Sequence, residues 1–186
     1  MITKEAIIPK YLTDIASSKL FGIISFTMLT AIAAQFTIPA KPVPFTLQTV
    51  MVVLAGAFLG ARYGAFSQIL YLTAGSIGLP IFAQGSFGFM ALFGPTGGYL
   101  LSFPVAAFIT GYLIEKNKSY FFVTLSMLLA NVFILLMGTL FLNTFYIKNL
   151  YESIKYGVAI FSVWTVVKLF LTINIYYFVK KNRKTA

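Results

Sequence analysis

The chain is a series of long apolar runs separated by short polar or turn-forming breaks. Several runs are far longer than the buried helix of a soluble domain requires, and their limits predict six helices, at 19–37, 46–61, 63–76, 97–115, 119–142 and 156–179. Prolines punctuate the first connection, IPAKPVPF, at Pro39, Pro42 and Pro44, where three fixed φ angles rule out a continuous helix. The third helix is too short to cross ~30 Å of hydrocarbon at ~1.5 Å per residue, so the segment after it must complete the span. No soluble domain, low-complexity linker or internal repeat interrupts the series. Residues 1–186 therefore read as one all-α integral membrane domain of six transmembrane helices, with residues 1–18 as an N-terminal cytoplasmic segment.

One stretch does not fit a plain series of spans. Residues 75–98, GSIGLPIFAQGSFGFMALFGPTGG, lie between the third and fourth helices and hold seven of the chain's fourteen glycines, yet also Ile77, Leu79, Ile81, Phe82, Phe87, Phe89, Met90, Leu92 and Phe93. A solvated loop would not be so apolar. Irregular backbone at membrane depth is tolerated only where protein buries it or where it lines a cavity, so this glycine-rich segment is expected to fold back as a structured lid or pocket wall. Its last part, LFGPTGGYL, also excludes one chemistry. A phosphate-cradling Walker loop needs a Lys and then a Ser or Thr after its last glycine, and Tyr99 and Leu100 stand there.

Composition then sets the environment. With 59% hydrophobic, 17% aromatic and 10% charged residues, the chain belongs in a lipid bilayer. It has no Cys and no His, which removes thiol chemistry and the commonest metal ligand and general base. Its four carboxylates, Glu5, Asp14, Glu115 and Glu152, fall outside or at the edges of the apolar runs. An enzyme is a poor reading of such a chain, and neither a metal nor a cofactor is expected.

The net charge of +10 is a matter of topology. With both termini cytoplasmic, ten basic residues lie inside (Lys4, Lys10, Lys19, Arg62, Lys116, Lys118, Lys180, Lys181, Arg183 and Lys184) and three outside (Lys41, Lys148 and Lys155). No large soluble basic face exists for nucleic acid. Tyrosines 63, 99, 120, 156, 176 and 177 near helix ends read as interfacial anchors. The triplet Ala31-Ile32-Ala33 mimics a signal-peptide cleavage site, but the apolar run continues past it and cleavage is not expected.

Four motifs carry a family resemblance: PVPFTLQT (42–49), LAGAFLGARYGA (54–65), YLTAGSIGLPIFA (71–83) and FGPTGGYL (93–100). Together they resemble the BioY family, the biotin-binding S components of energy-coupling-factor (ECF) vitamin transporters, over residues 30–112 or so, and the likeness thins after residue 115. The resemblance implies a six-helix subunit of a bacterial cytoplasmic membrane that captures biotin from outside. It also implies a transmembrane coupling (T) subunit and two cytoplasmic ATPases as partners, which suits a chain without a nucleotide loop. The glycine-rich segment then resembles the family's substrate-covering loop.

Lys168 stands out among single residues, since it lies about eleven residues, or ~16 Å, from either end of the last predicted helix. Burying an ammonium there costs ~2.5–3.5 kcal/mol on insertion scales, and such lysines usually face a cavity on a substrate path. The family's last helix carries an acidic residue three positions earlier, where this chain has Thr165. A threonine can donate and accept a hydrogen bond but cannot neutralise a lysine. Gln48, Gln84 and Thr96 are polar candidates for the ureido ring of biotin, and Phe45, Phe82, Tyr99 and Trp164 for its ring and chain, with ordinary packing as the alternative for each. Asn131 and Asn174 read as interhelical polar contacts. Thr27 with Ala31, and Thr30 with Ala34, form a small-residue face on the first helix, suited either to docking on the coupling subunit or to packing within the subunit. Two alternatives stay open: a related small vitamin as the ligand, and a self-sufficient carrier, although no intramembrane acid for a proton-driven carrier is visible.

Overall fold

The computed structural model describes residues 18–185, so the predicted N-terminal segment lies outside the described residues apart from Ser18. Ser18 opens α1 (Lys19–Gln35), its hydroxyl accepting from the Phe21 N–H at 3.1 Å. The proline-rich connection folds into a short antiparallel pair, β1 (Thr37–Ile38) and β2 (Phe45–Thr46), with Thr37 opposite Thr46. Then come α2 (Gln48–Ser76), 3₁₀ turns at Ala83–Gly85 and Phe89–Phe93, α3 (Gly97–Lys116) and α4 (Tyr120–Leu142). A π turn (Asn143–Ile147), the short α5 (Leu150–Ile154) and a second π turn (Lys155–Ala159) lead into α6 (Ile160–Thr185).

α2 is not a straight rod. Gly60 has φ 82° and ψ 178°, a conformation open only to glycine, and a Cβ placed on Gly64 would lie 2.7 Å from the Gly56 Cα. Residues eight apart in an unbroken helix are separated by ~12 Å, so the two halves of α2 fold back on each other at Gly60. This turn is the predicted boundary between the second and third helices. Ala61 is the first residue of the returning half, and the Glu115 Oε1 of α3 accepts its N–H at 2.9 Å, as a cap on a helix start would. Gly111 lets α3 approach this turn: a Cβ there would meet the Ala61 nitrogen at 2.3 Å.

By length and composition three segments among the described residues could cross a membrane, Gly97–Lys116 and Tyr120–Ile147 as continuous runs and Gln48–Ser76 as a run that is folded in two at Gly60. Tyr71, Phe103, Met127, Ile134 and Leu142 fill the interior, while Leu20, Met28, Phe121, Leu136 and Phe170 form an apolar exterior. That inside-and-outside apolarity is what lipid demands and water does not. Two predicted interfacial anchors prove to be core residues, since Tyr99 and Tyr176 are buried. Tyr63 keeps an interfacial character, with the Lys19 ammonium 4.7 Å from its ring centre.

The small residues of α1 face inward. The Thr27 hydroxyl donates to the Ser67 carbonyl at 2.8 Å, Thr30 accepts from the Gln68 amide at 3.3 Å, and Ala34 is fully buried. They pack α1 on α2 within the subunit, and of the four only Ala31 is partly exposed. Of the two uses expected for this face, Thr27, Thr30 and Ala34 serve packing within the subunit and offer no surface to a partner.

Candidate functional site

The N-terminal half of α2 starts right after β2, and α6 packs against α2, so the hairpin lies at the end of the bundle where α2 begins. Beside it is a cavity enclosed by the hairpin, α2, the glycine-rich segment, α3, α4 and α6. The hairpin supplies Val43, Pro44 and Thr46, α2 supplies Gln48 and Thr49, and the glycine-rich segment supplies Phe82, Ala83 and Thr96. The wall is completed by Tyr99, Leu100 and Phe103 of α3, Asn131, Ile134 and Leu135 of α4, and Thr165 and Lys168 of α6. The segment expected to act as a pocket wall is one.

Its glycines have a packing reason. A Cβ on Gly97 would strike the Leu92 carbonyl oxygen at 2.0 Å, and one on Gly98 the Phe141 side chain at 2.3 Å. The start of α3 is thereby pressed between the covering segment and α4. Most apolar side chains of the segment, including Ile77, Met90 and Phe89, point outward, while Phe82 and Leu92 are buried. Phe82 takes its place because Gly75 has no side chain: a Cβ there would lie 2.2 Å from the Phe82 ring.

Lys168 is only 8% exposed, and its ammonium donates to the Thr46 carbonyl at 3.3 Å. Thr165, one helical turn earlier on the same face, is also buried, and the Thr172 hydroxyl one turn later donates to the Lys168 carbonyl at 2.6 Å. None of the residues lining the cavity is a carboxylate. Glu115, the acid nearest the helices in sequence terms, is occupied at the Gly60 turn.

The predicted site residues divide by location. Gln48, Phe82, Thr96, Tyr99, Thr165 and Lys168 line the cavity. Gln84 does not: it sits on an exposed 3₁₀ turn with φ 60°, directed away from the interior. Phe45 and Trp164 line a separate lateral groove beside the hairpin, with ring centres 6.2 Å apart, and that groove shares Thr46 and Lys168 with the cavity. Tyr99 donates to the Gly157 carbonyl at 3.1 Å, so its hydroxyl also ties α3 to the turn before α6.

Three polar lining residues, Thr46, Thr49 and Asn131, are not among those expected from the sequence to bind a ligand. Thr49 is half-buried, with its hydroxyl enclosed and without a hydrogen-bond partner, and Asn131, read as an interhelical contact, donates to the Met127 carbonyl at 2.8 Å while facing the cavity. Thr49 follows the quoted motif residue Gln48 directly, which was a usable signal. The cavity thus combines one cation, several hydroxyls and amides, and aromatic and aliphatic walls. That is a binding inventory for a small anionic, largely apolar molecule with a hydrogen-bonding head.

The family model described as BioY family matches residues 8–185. The chain belongs to the BioY family. The biotin transporter BioY of Thermotoga maritima is 38% identical over 144 residues, which covers 77% of this chain and 85% of that protein. The probable biotin transporter BioY of Pyrococcus horikoshii is likewise 38% identical, over 143 residues covering 77% of this chain and 84% of its own. The crystal structure of the S-component for biotin from an ECF-type ABC transporter has a TM-score of 0.83 to this chain at 26% identity, covering 94% of this chain and 95% of the other. BioY likeness therefore extends past residue 115, where the motifs alone had thinned, and the all-α membrane fold expected from them is the fold observed.

Proposed function

We propose that this chain captures biotin with high affinity at the outer face of a bacterial cytoplasmic membrane and takes it up as the S component of an ECF transporter. The observation that carries this reading is the Lys168 cavity, in which a buried cation has no carboxylate among the lining residues and a ligand carboxylate would complete it. Relatives named as biotin transporters support biotin over another acid. Thr165 in place of an acidic residue keeps a related vitamin as the second reading, because the ammonium then has a free choice of anion.

In this proposal energy comes from two partner ATPases through a transmembrane coupling subunit. It is supported by the solved relative, described as part of an ECF-type ABC transporter, and by the lack of a nucleotide loop in the sequence. The basic residues counted above favour both termini on the cytoplasmic side. Contact with the coupling subunit along α1 would use Ala31 and the exposed Leu20, Ile24, Met28 and Ile32 around it. The deciding experiment is equilibrium binding of purified chain to a panel of vitamins. Biotin is expected to bind at least ~100-fold more tightly than the others, a difference of about 2.7 kcal/mol. Preference for another vitamin would overturn the biotin assignment.

A further inference from the structure

A chain of hydrogen bonds runs from the buried lysine to the covering segment, and every donor and acceptor in it is used consistently. The Lys168 ammonium donates to the Thr46 carbonyl at 3.3 Å. The hydroxyl of the same Thr46 donates to the Gln48 Oε1 at 2.8 Å. The Gln48 Nε2 donates to the Tyr71 hydroxyl at 2.5 Å, and that hydroxyl donates onward to the Ile81 carbonyl at 3.0 Å. Four bonds join five units: α6, the hairpin, the first and second halves of α2, and the segment beside the cavity.

Each end of the Gln48 amide therefore has one bond to a protein group, which fixes the orientation of the side chain and leaves one N–H and one lone pair uncommitted. Tyr71 is fully buried, and its ring meets the Phe82 ring edge-on at 5.5 Å, so both its ring and its hydroxyl hold the 81–82 stretch. The other support for that stretch comes from outside the chain of bonds: the Gln35 Nε2 lies 3.4 Å from the Ile81 carbonyl and 3.2 Å from that of Phe82, from an exposed position.

We infer that Gln48 and Tyr71 are positioning residues, which fix the covering segment over the cavity and link its hold to the seat of Lys168. Thr46 is the junction. Its carbonyl serves the lysine and its hydroxyl serves Gln48, so a change at the ammonium bears on the backbone that orients the hydroxyl. The inference rests on the proposed capture of a ligand in this cavity. Its physical content is a contiguous bonded path with a specific break point, which can be cut at either end.

The test uses the full chain in lipid nanodiscs, with amide hydrogen exchange measured first without any ligand. Tyr71→Phe keeps the ring against Phe82 and removes only the hydroxyl. It is expected to speed exchange of the Phe82, Gly85, Ser86 and Gly88 amides, all of which are hydrogen-bonded within or beside the segment. Lys168→Met is expected to speed the same amides, and the double variant to exchange no faster than Tyr71→Phe alone, while amides of α4 stay unchanged in all three. Unchanged segment amides in Tyr71→Phe, or strictly multiplicative effects in the double variant, would overturn the inference. Should Tyr71→Phe fail to fold, Gln48→Met cuts the same path one bond earlier with the aromatic contact intact, and it is held to the same outcomes.

Biotin then supplies the second arm. In Tyr71→Phe its dissociation is expected to quicken about fivefold, the effect of losing one neutral hydrogen bond, with association little changed. Identical dissociation rates in variant and parent would overturn the positioning role. If the parent binds no biotin at all, the proposed function fails while the exchange arm still judges the path from Lys168 to Ile81.

Discussion

Lys168 marks the cavity from the sequence alone. A lone cation deep in an apolar run is costly, so its presence already marks a cavity, and the structure puts its ammonium on the wall of one. The same logic was weaker for neutral polar residues. Thr49 and Asn131 lie in helical runs where an interhelical contact explains them as well as a ligand does, and only the direction of each side chain separates the two. Gln84 lies outside the cavity for a different reason: the 3₁₀ turn at Ala83–Gly85 reverses the chain there, which periodicity in a glycine-rich stretch does not foretell. For Lys168→Met the expected outcome is a chain that folds, because a buried charge is exchanged for an apolar side chain, but binds biotin roughly 10- to 100-fold more weakly, as loss of a charged hydrogen bond implies. If the ammonium holds the carboxylate, a neutral biotin amide should bind parent and variant alike in titration calorimetry. A neutral analogue that still loses affinity in the variant would instead put the ureido oxygen at Lys168. Thr165→Asp gives a converse check, since a second anion beside the one lysine should weaken biotin and spare the neutral analogue.

At the scale of elements, proline and glycine made the breaks legible, and the shape of each break was left to packing. Pro39, Pro42 and Pro44 ruled out a helix but did not reveal the β1–β2 pair, because two-residue strands carry no alternation to detect. The boundary near residue 61 was placed well, whereas its sharpness depends on Gly60, Gly56 and Gly64 meeting at a turn, with Glu115 as a distant cap. That turn is a test of the account. Gly60→Ala demands a conformation that L residues avoid and puts a Cβ 2.2 Å from the Glu115 carboxylate, so it is expected to destabilise the chain by about 1–3 kcal/mol in thermal unfolding. Gly94→Ala, with φ −73° and its nearest neighbour at 3.3 Å, should change stability by less than about 1 kcal/mol. Equal effects at the two sites would mean that the Gly60 turn is not the constraint described. The covering segment makes a separate prediction: on biotin binding, exchange at residues 75–98 should slow more than at 143–155, since only the first segment contributes to the cavity.

At the scale of the molecule, what matters is which tasks this chain can do alone. It has a cavity, and the residues lining it include no acid that could carry a proton in exchange. Its sequence has no loop to hold nucleotide phosphates, since Tyr99 and Leu100 follow the last glycine of LFGPTGGYL. Moving a ligand uphill requires that its release on the inner side be driven by something other than its own gradient, and binding energy in the cavity only deepens the well from which the ligand must leave. Tight capture and unaided accumulation are therefore at odds in such a chain. In proteoliposomes containing this chain alone, biotin is expected to bind and not to accumulate, with or without ATP or an imposed proton gradient. Adding a coupling subunit and ATPases should make uptake both uphill and ATP-dependent. Labelled-biotin exchange at equal concentrations inside and outside must be measured beside it, because simple facilitated diffusion would also give no accumulation. Exchange at the rate of empty liposomes identifies a subunit that waits for its partners, rapid exchange identifies a facilitator, and uphill uptake by the chain alone refutes the division of labour argued from Lys168 and the missing phosphate loop.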